Sequence, residues 1–137
     1  MDAVLQSFMA GFPVLLLHAS VTLVMLALAV TVYMKITPYD ELALIRDGNT
    51  AAAITLSGAV VGLGVPLAFA MASSVNVWEI LIWGLVTLLL QLVAYRVTDV
   101  ILRDLPARII DGEVGPALLL CSIKLAVAAV NAAAVTG

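Results

Sequence analysis

Four long apolar runs alternate with short polar breaks along the chain: about Phe12 to Met34, Thr50 to Ala72, Val77 to Val100 and Val114 to Val135. Crossing a hydrocarbon layer of about 30 Å takes roughly 20 helical residues at about 1.5 Å each, and every run reaches that length. Helices close their own backbone hydrogen bonds, which lipid cannot do for them. The pattern therefore predicts an all-α membrane protein with four transmembrane helices.

Two of the breaks carry helical signals of their own. In the first, Thr37 is placed to cap a helix, Pro38 suits its first turn, and Asp40 and Glu41 suit the positive end of its dipole. Leu42 and Ile45 follow as an apolar stripe, and Gly48 is placed to stop the helix. In the last break Asp104, Pro106, Ile109, Ile110 and Gly112 repeat the scheme. Each break is predicted to hold a short cytoplasmic helix lying at the membrane interface. Asp47-Gly48-Asn49-Thr50 and Ala52-Ala53 return weakly as Asp111-Gly112-Glu113-Val114 and Pro116-Ala117, about 64 residues later. The chain thus reads as two helical hairpins, about 12–72 and about 77–135, within a single transmembrane domain covering 1–137. With two spans per copy, the copies enter the membrane in the same direction and form parallel repeats.

Composition supports the membrane reading and narrows the chemistry. Hydrophobic residues make up 64% of the chain and charged ones 11%, with a mean hydropathy of +1.21; soluble domains carry roughly 25% charged residues. No Lys or Arg precedes Lys35, so the first run lacks the basic start of a signal peptide and is expected to be kept. Lys35, Arg46, Arg96, Arg103 and Arg108 cluster at the two patterned breaks, which places those breaks in the cytoplasm and both termini on the periplasmic or extracellular side. A net charge of −3 and a pI near 4.7 exclude a nucleic-acid partner. Cys121 is the one cysteine and His18 the one histidine, so neither disulfide, paired haem ligation nor a metal set is expected, and no cofactor. His18 and Glu79 fall near the outer ends of spans one and three, where they could pair; Trp78, Trp83 and Tyr95 suit an aromatic belt.

Within the spans the polar and small residues stand out. Gly58 and Gly62 form a small-xxx-small pair for close helix approach, and Pro66 frees a carbonyl one turn earlier, near Gly62. Lys124 lies about ten residues into the last span, where a lysine costs about 2.5–3.5 kcal/mol on insertion scales. Ala117, Cys121, Ala128 and Asn131 share its helical face, so Lys124 is expected to point at protein or a cavity, with Gln91 as a candidate partner at similar depth. Satisfaction by carbonyls and amides outweighs a role in ion passage.

Lys35-Ile36-Thr37-Pro38, Glu41, Leu44-Ile45, Asn49-Thr50-Ala51-Ala52, Ser57-Gly58, Gly62, Pro66 and the closing Asn131-Ala132-Ala133 resemble domain-of-unknown-function family 350, the UPF0719 family of bacterial inner-membrane proteins. The resemblance covers nearly the whole chain and implies location and architecture; no activity is attached to the family. It departs at Glu113-Val114-Gly115-Pro116, where the family tends toward a second Asn-Thr-Ala-Ala, and at Lys124, where relatives carry small residues. The resemblance thus moves Asn49, Thr50 and Asn131 forward as shared structural or binding residues.

Without a visible catalytic constellation, the expected function is a non-enzymatic, multi-pass inner-membrane component or scaffold. It is expected to form homo-oligomers, to contact lipid, and to dock a cytosolic or peripheral partner through Glu41, Leu42, Ile45 and Arg46. The alternative is a small oligomeric channel or transporter lined by the Pro66 kink and the Asn131 face.

Overall fold

The computed structural model covers residues 1–137 and consists of six helices: α1 (Asp2–Ile36), α2 (Glu41–Arg46), α3 (Thr50–Ser73), α4 (Val77–Leu102), α5 (Leu105–Ile110) and α6 (Val114–Thr136). Of these, α1, α3, α4 and α6 are long and apolar enough to cross a membrane.

Small residues decide which helices lie at the centre. Along α3 the stripe Ala51, Thr55, Gly58, Ala59, Gly62 and Pro66 is buried, and it meets Ala117, Leu120, Lys124, Ala128 and Asn131 of α6. At the closest approach a Cβ on Gly58 would lie 3.1 Å from the Cα of Cys121, which leaves no room for a larger residue. The face expected from spacing in α6 is thus the buried one, with Cys121 at its half-buried edge. Packed across this central pair is α4, while α1 rests on α3 and α4.

Helix α1 starts ten residues earlier than the apolar run suggested, at Asp2, and continues through Pro13. Val4, Leu5, Phe8, Met9 and Phe12 recur at helical spacing and carry the helix outward, with the rings of Phe8 and Phe12 stacked at 5.1 Å. Its 35 residues extend about 52 Å, well beyond a hydrocarbon core of about 30 Å. Only Thr22, Ala29 and Tyr33 of α1 are buried.

Two expected caps are corrected. Thr37 does not start α2: its hydroxyl donates back to the Met34 carbonyl at 2.9 Å and closes α1. Asp40 is the cap, its carboxylate accepting the Ala43 N–H at 3.1 Å, so Pro38 lies in the connection rather than in the helix. Asp104 holds the cap position of α5 but makes no side-chain cap hydrogen bond; the corner between α4 and α5 turns through positive φ at Arg103 (50°) and Asp104 (53°), not the extended backbone that a capping residue normally adopts. Both short helices stop as expected. Gly48 (φ +87°) donates to the Ile45 carbonyl and Asn49 to that of Leu44; Gly112 (φ +81°) donates to Ile109 and Glu113 to Arg108. These are two matching Schellman closures, and each needs a residue free to turn left-handed.

Alanine at Gly48 or Gly112 should therefore lower the unfolding free energy by about 1 kcal/mol each, measured by denaturation in mixed micelles. Glycine at Arg103 should act in the opposite direction, since it removes a Cβ from a strained left-handed position. An unchanged midpoint for all three variants would contradict this account of the corners.

Candidate functional site: a buried polar cluster

The interior between the spans is polar at one end, the end where α2 and α5 sit. Lys124 is fully buried. Its ammonium reaches from the middle of α6 toward that end, donates to the Thr55 carbonyl of α3 at 3.1 Å, and lies 4.4 Å from the centroid of the Tyr33 ring. A carbonyl and a π face are the two kinds of partner a protein interior offers a cation besides a carboxylate. Lysine thus snorkels inside the bundle rather than along lipid.

Gln91 of α4 does not meet the ammonium. Its amide nitrogen donates to the Lys124 carbonyl at 3.0 Å and to the Gly62 carbonyl at 3.2 Å, the latter being the one that Pro66 leaves without its helical partner. The Gln91 side chain would be 2.9 Å from a Cβ at position 62, so glycine there makes room for this bond. One turn further from the polar end, Asn131 donates to the Thr87 hydroxyl at 2.8 Å and ties α6 to α4. Asn49 caps α3 through the Ala52 N–H and donates to the carbonyls of Ile109 and Ile110 at the end of α5. Thr50 is exposed and its side chain makes no hydrogen bond.

Four residues join this site that sequence spacing did not bring together. Glu41 is 1% exposed, and neither of its carboxylate oxygens has a hydrogen-bond partner; the buried hydroxyls of Tyr33, Tyr39 and Tyr95 have none either. The three tyrosines belong to one packed cluster, the Glu41 carboxylate acts electrostatically on each of them, and Lys124 acts on Glu41. No ion pair joins Lys124 to Glu41 directly; the ion pairs present are Arg96–Asp99 and Arg108–Glu113.

Several sequence assignments change accordingly. Glu41 faces the core and cannot belong to a docking surface. Ile45 is half-buried against the core, whereas Leu42 and Arg46 are exposed. Tyr95, 5% exposed, is a core residue and not part of an aromatic belt, whereas Trp78 is exposed. His18 and Glu79 do not pair: Glu79 accepts the Val75 N–H. No group of three or more His, Cys, Asp or Glu is placed to hold a metal.

The family described as Domain of Unknown Function (DUF350) matches residues 7–135. The chain belongs to that family. It is 31% identical over 105 residues to the UPF0719 inner membrane protein YjfL of Escherichia coli (strain K12), covering 77% of this chain and 80% of the relative. YjfL of Escherichia coli O157:H7 matches to the same extent. No solved structure matches.

The Gly62–Gln91 contact yields a paired test. Gly62→Ala should cost about 1–3 kcal/mol by overpacking against Gln91, Gln91→Ala should itself destabilise by leaving the Gly62 carbonyl unpaired, and the double variant should lose less than the sum of the two because the clash is gone. Additive losses in a double-mutant cycle would show that the two residues are not coupled.

Proposed function

We propose that this chain is a non-enzymatic, multi-pass component of the bacterial inner membrane that assembles with copies of itself and works through its α2/α5 end. The observation that carries this reading is the filled centre of the bundle: Gly58 against Cys121, Gly62 against Gln91, and Lys124 between Thr55 and Tyr33 occupy the space a path through one chain would need. Exposed groups for a partner gather at the α2/α5 end, where Leu42 and Ile110 stand beside Arg46, Asp47 and Asp111. The matching glycine closures of α2 and α5 support a duplicated hairpin, with both short helices lying at the cytoplasmic interface. The family relative's inner-membrane name supports that location.

Conduction by an oligomer is the second reading, and the unpartnered polar groups around Glu41 favour it, since a conducting assembly needs hydrated groups below the surface. Flux separates the two. Purified protein in proteoliposomes should leave them impermeable to small ions on the first reading; a saturable leak would put the second in its place.

Topology is tested independently in a Cys121→Ala background. Cysteine at Asp2 or Thr136 should react with an impermeant thiol reagent added outside the cell, and cysteine at Asp47 or Asp111 should not. The reverse pattern would turn the α2/α5 end outward and remove the cytosolic partner from the proposal.

A further inference from the structure

Glu41 is the least expected residue in the core. It stands seven residues before Gly48, and Leu105 stands seven before Gly112. Both side chains are buried at the first turn of their short helix, at 1% and 0% exposure. Leucine fills that position in α5 without any polar requirement. In α2 a carboxylate fills it, surrounded by three phenols whose hydroxyls also lack partners. Buried polar atoms are nearly always hydrogen-bonded, to protein or to ordered water. Tyr39 stands near the Thr55 and Tyr95 side chains and Glu41 near that of Thr37, yet none of the four groups closes a hydrogen bond of normal geometry, an arrangement that bridging water would complete.

We infer that Glu41, Tyr33, Tyr39, Tyr95 and Lys124 bound a hydrated proton-binding site, in which a few water molecules link the carboxyl to the phenols and Glu41 takes up and releases the proton. Access runs from the α2/α5 end. A gap of about 130 Å³ there is lined by Ile36, Thr37, Pro38, Leu92, Tyr95 and Arg96, and so touches Thr37 and Tyr95 beside Glu41. Loading is a simple transfer. A hydronium ion gives its proton to a carboxylate oxygen, one O–H bond breaks as another forms, and neutral carboxyl and water remain. A metal cation is a poor occupant, because the Lys124 ammonium already supplies positive charge to the cluster.

The surroundings of Glu41 set the sign. Facing it are Tyr33 from α1, Tyr39 and Asp40 from the connection, Tyr95 from α4, with Arg96 and Asp99 beyond it, and Lys124 from α6. Helix α3, against which α2 packs, has no titratable side chain. Burial pushes the Glu41 carboxyl up from the ordinary 4.5 to about 7; Lys124 and the Thr37 hydroxyl oppose the rise, and Asp40 adds to it. Folding therefore favours the protonated form. The stabilisation from Glu41 is complete below about pH 4.5 and is lost as pH rises through about 7.

The chain has three glutamates, Glu41, Glu79 and Glu113, so selective carboxyl-¹³C glutamate labelling of the full-length protein in nanodiscs gives a resolvable titration. One carboxyl should titrate near pH 7. The neutral-range signal should vanish in Glu41→Gln and move to higher pH in Lys124→Met, which removes the opposing charge. The melting temperature of Glu41→Gln should gain on the wild type as pH rises through 7. A wild-type spectrum in which no carboxyl titrates near pH 7 would overturn the proposal. So would a near-neutral signal that persists in Glu41→Gln. Should either variant fail to fold, the wild-type titration decides alone, because the prediction for it requires no substitution.

Discussion

A lysine ammonium inside a bundle that lies in lipid constrains nearly everything around it. Unsatisfied at that depth, the charge would cost several kcal/mol. Its partners must come from other helices, because its own helix offers only carbonyls already used in the ladder. Thr55 contributes a carbonyl from α3 and Tyr33 a ring from the end of α1. That requirement brings α1 against α3 at the α2 end, although α1 buries little else along its length. Glu41, from α2, acts on the ammonium electrostatically without forming an ion pair.

A second dependence runs from Pro66 through the same region. Proline removes the N–H that would have met the Gly62 carbonyl, and in lipid that oxygen needs another donor. Gln91 supplies it, and with the same amide also holds the Lys124 carbonyl. Only glycine at position 62 lets the amide approach so closely. Pro66, Gly62, Gln91 and Lys124 therefore form one linked arrangement across three helices, in which loss of the Gln91 amide would leave the Gly62 carbonyl without a donor.

Much of this is legible in the sequence. Span number, the buried face of α6, the glycine stops at Gly48 and Gly112, and the freed carbonyl near Gly62 all follow from local rules: helical spacing, left-handed φ, and the missing proline donor. Partners across the bundle are not, because spacing says which face is buried and not what it meets. Gln91 was read as a partner for the Lys124 ammonium and instead holds its carbonyl. Glu41 was misread for a different reason. A six-residue helix has less than two turns, so its pattern cannot separate a core face from a surface one, and an acid in the first turn already has a dipole explanation. Tyr33 and Tyr39 flank the first connection and Tyr95 ends near another, where aromatic residues are ordinary at a membrane interface. The start of α1 escaped because Gln6, Ser7 and Gly11 interrupt the apolar run without interrupting the helix.

Comparison of the two short helices indicates what the polar cluster is for. Both end in the same backbone closure, and both bury their first-turn side chain against the bundle. Leu105 performs that burial in α5 with a purely apolar side chain, so neither the closure nor the docking of such a helix needs a carboxylate. Placing Glu41 there instead leaves two oxygens to be satisfied below the surface, a cost of desolvation that leucine avoids. The phenols of Tyr33 and Tyr39 and the ammonium of Lys124 converge on this one helix and have no equivalent around α5, where Leu105 and Ile109 are apolar and fully buried. An arrangement that weakens packing at one of two otherwise similar positions, and surrounds it with groups able to exchange protons, is better explained by chemistry at Glu41 than by the requirements of the fold.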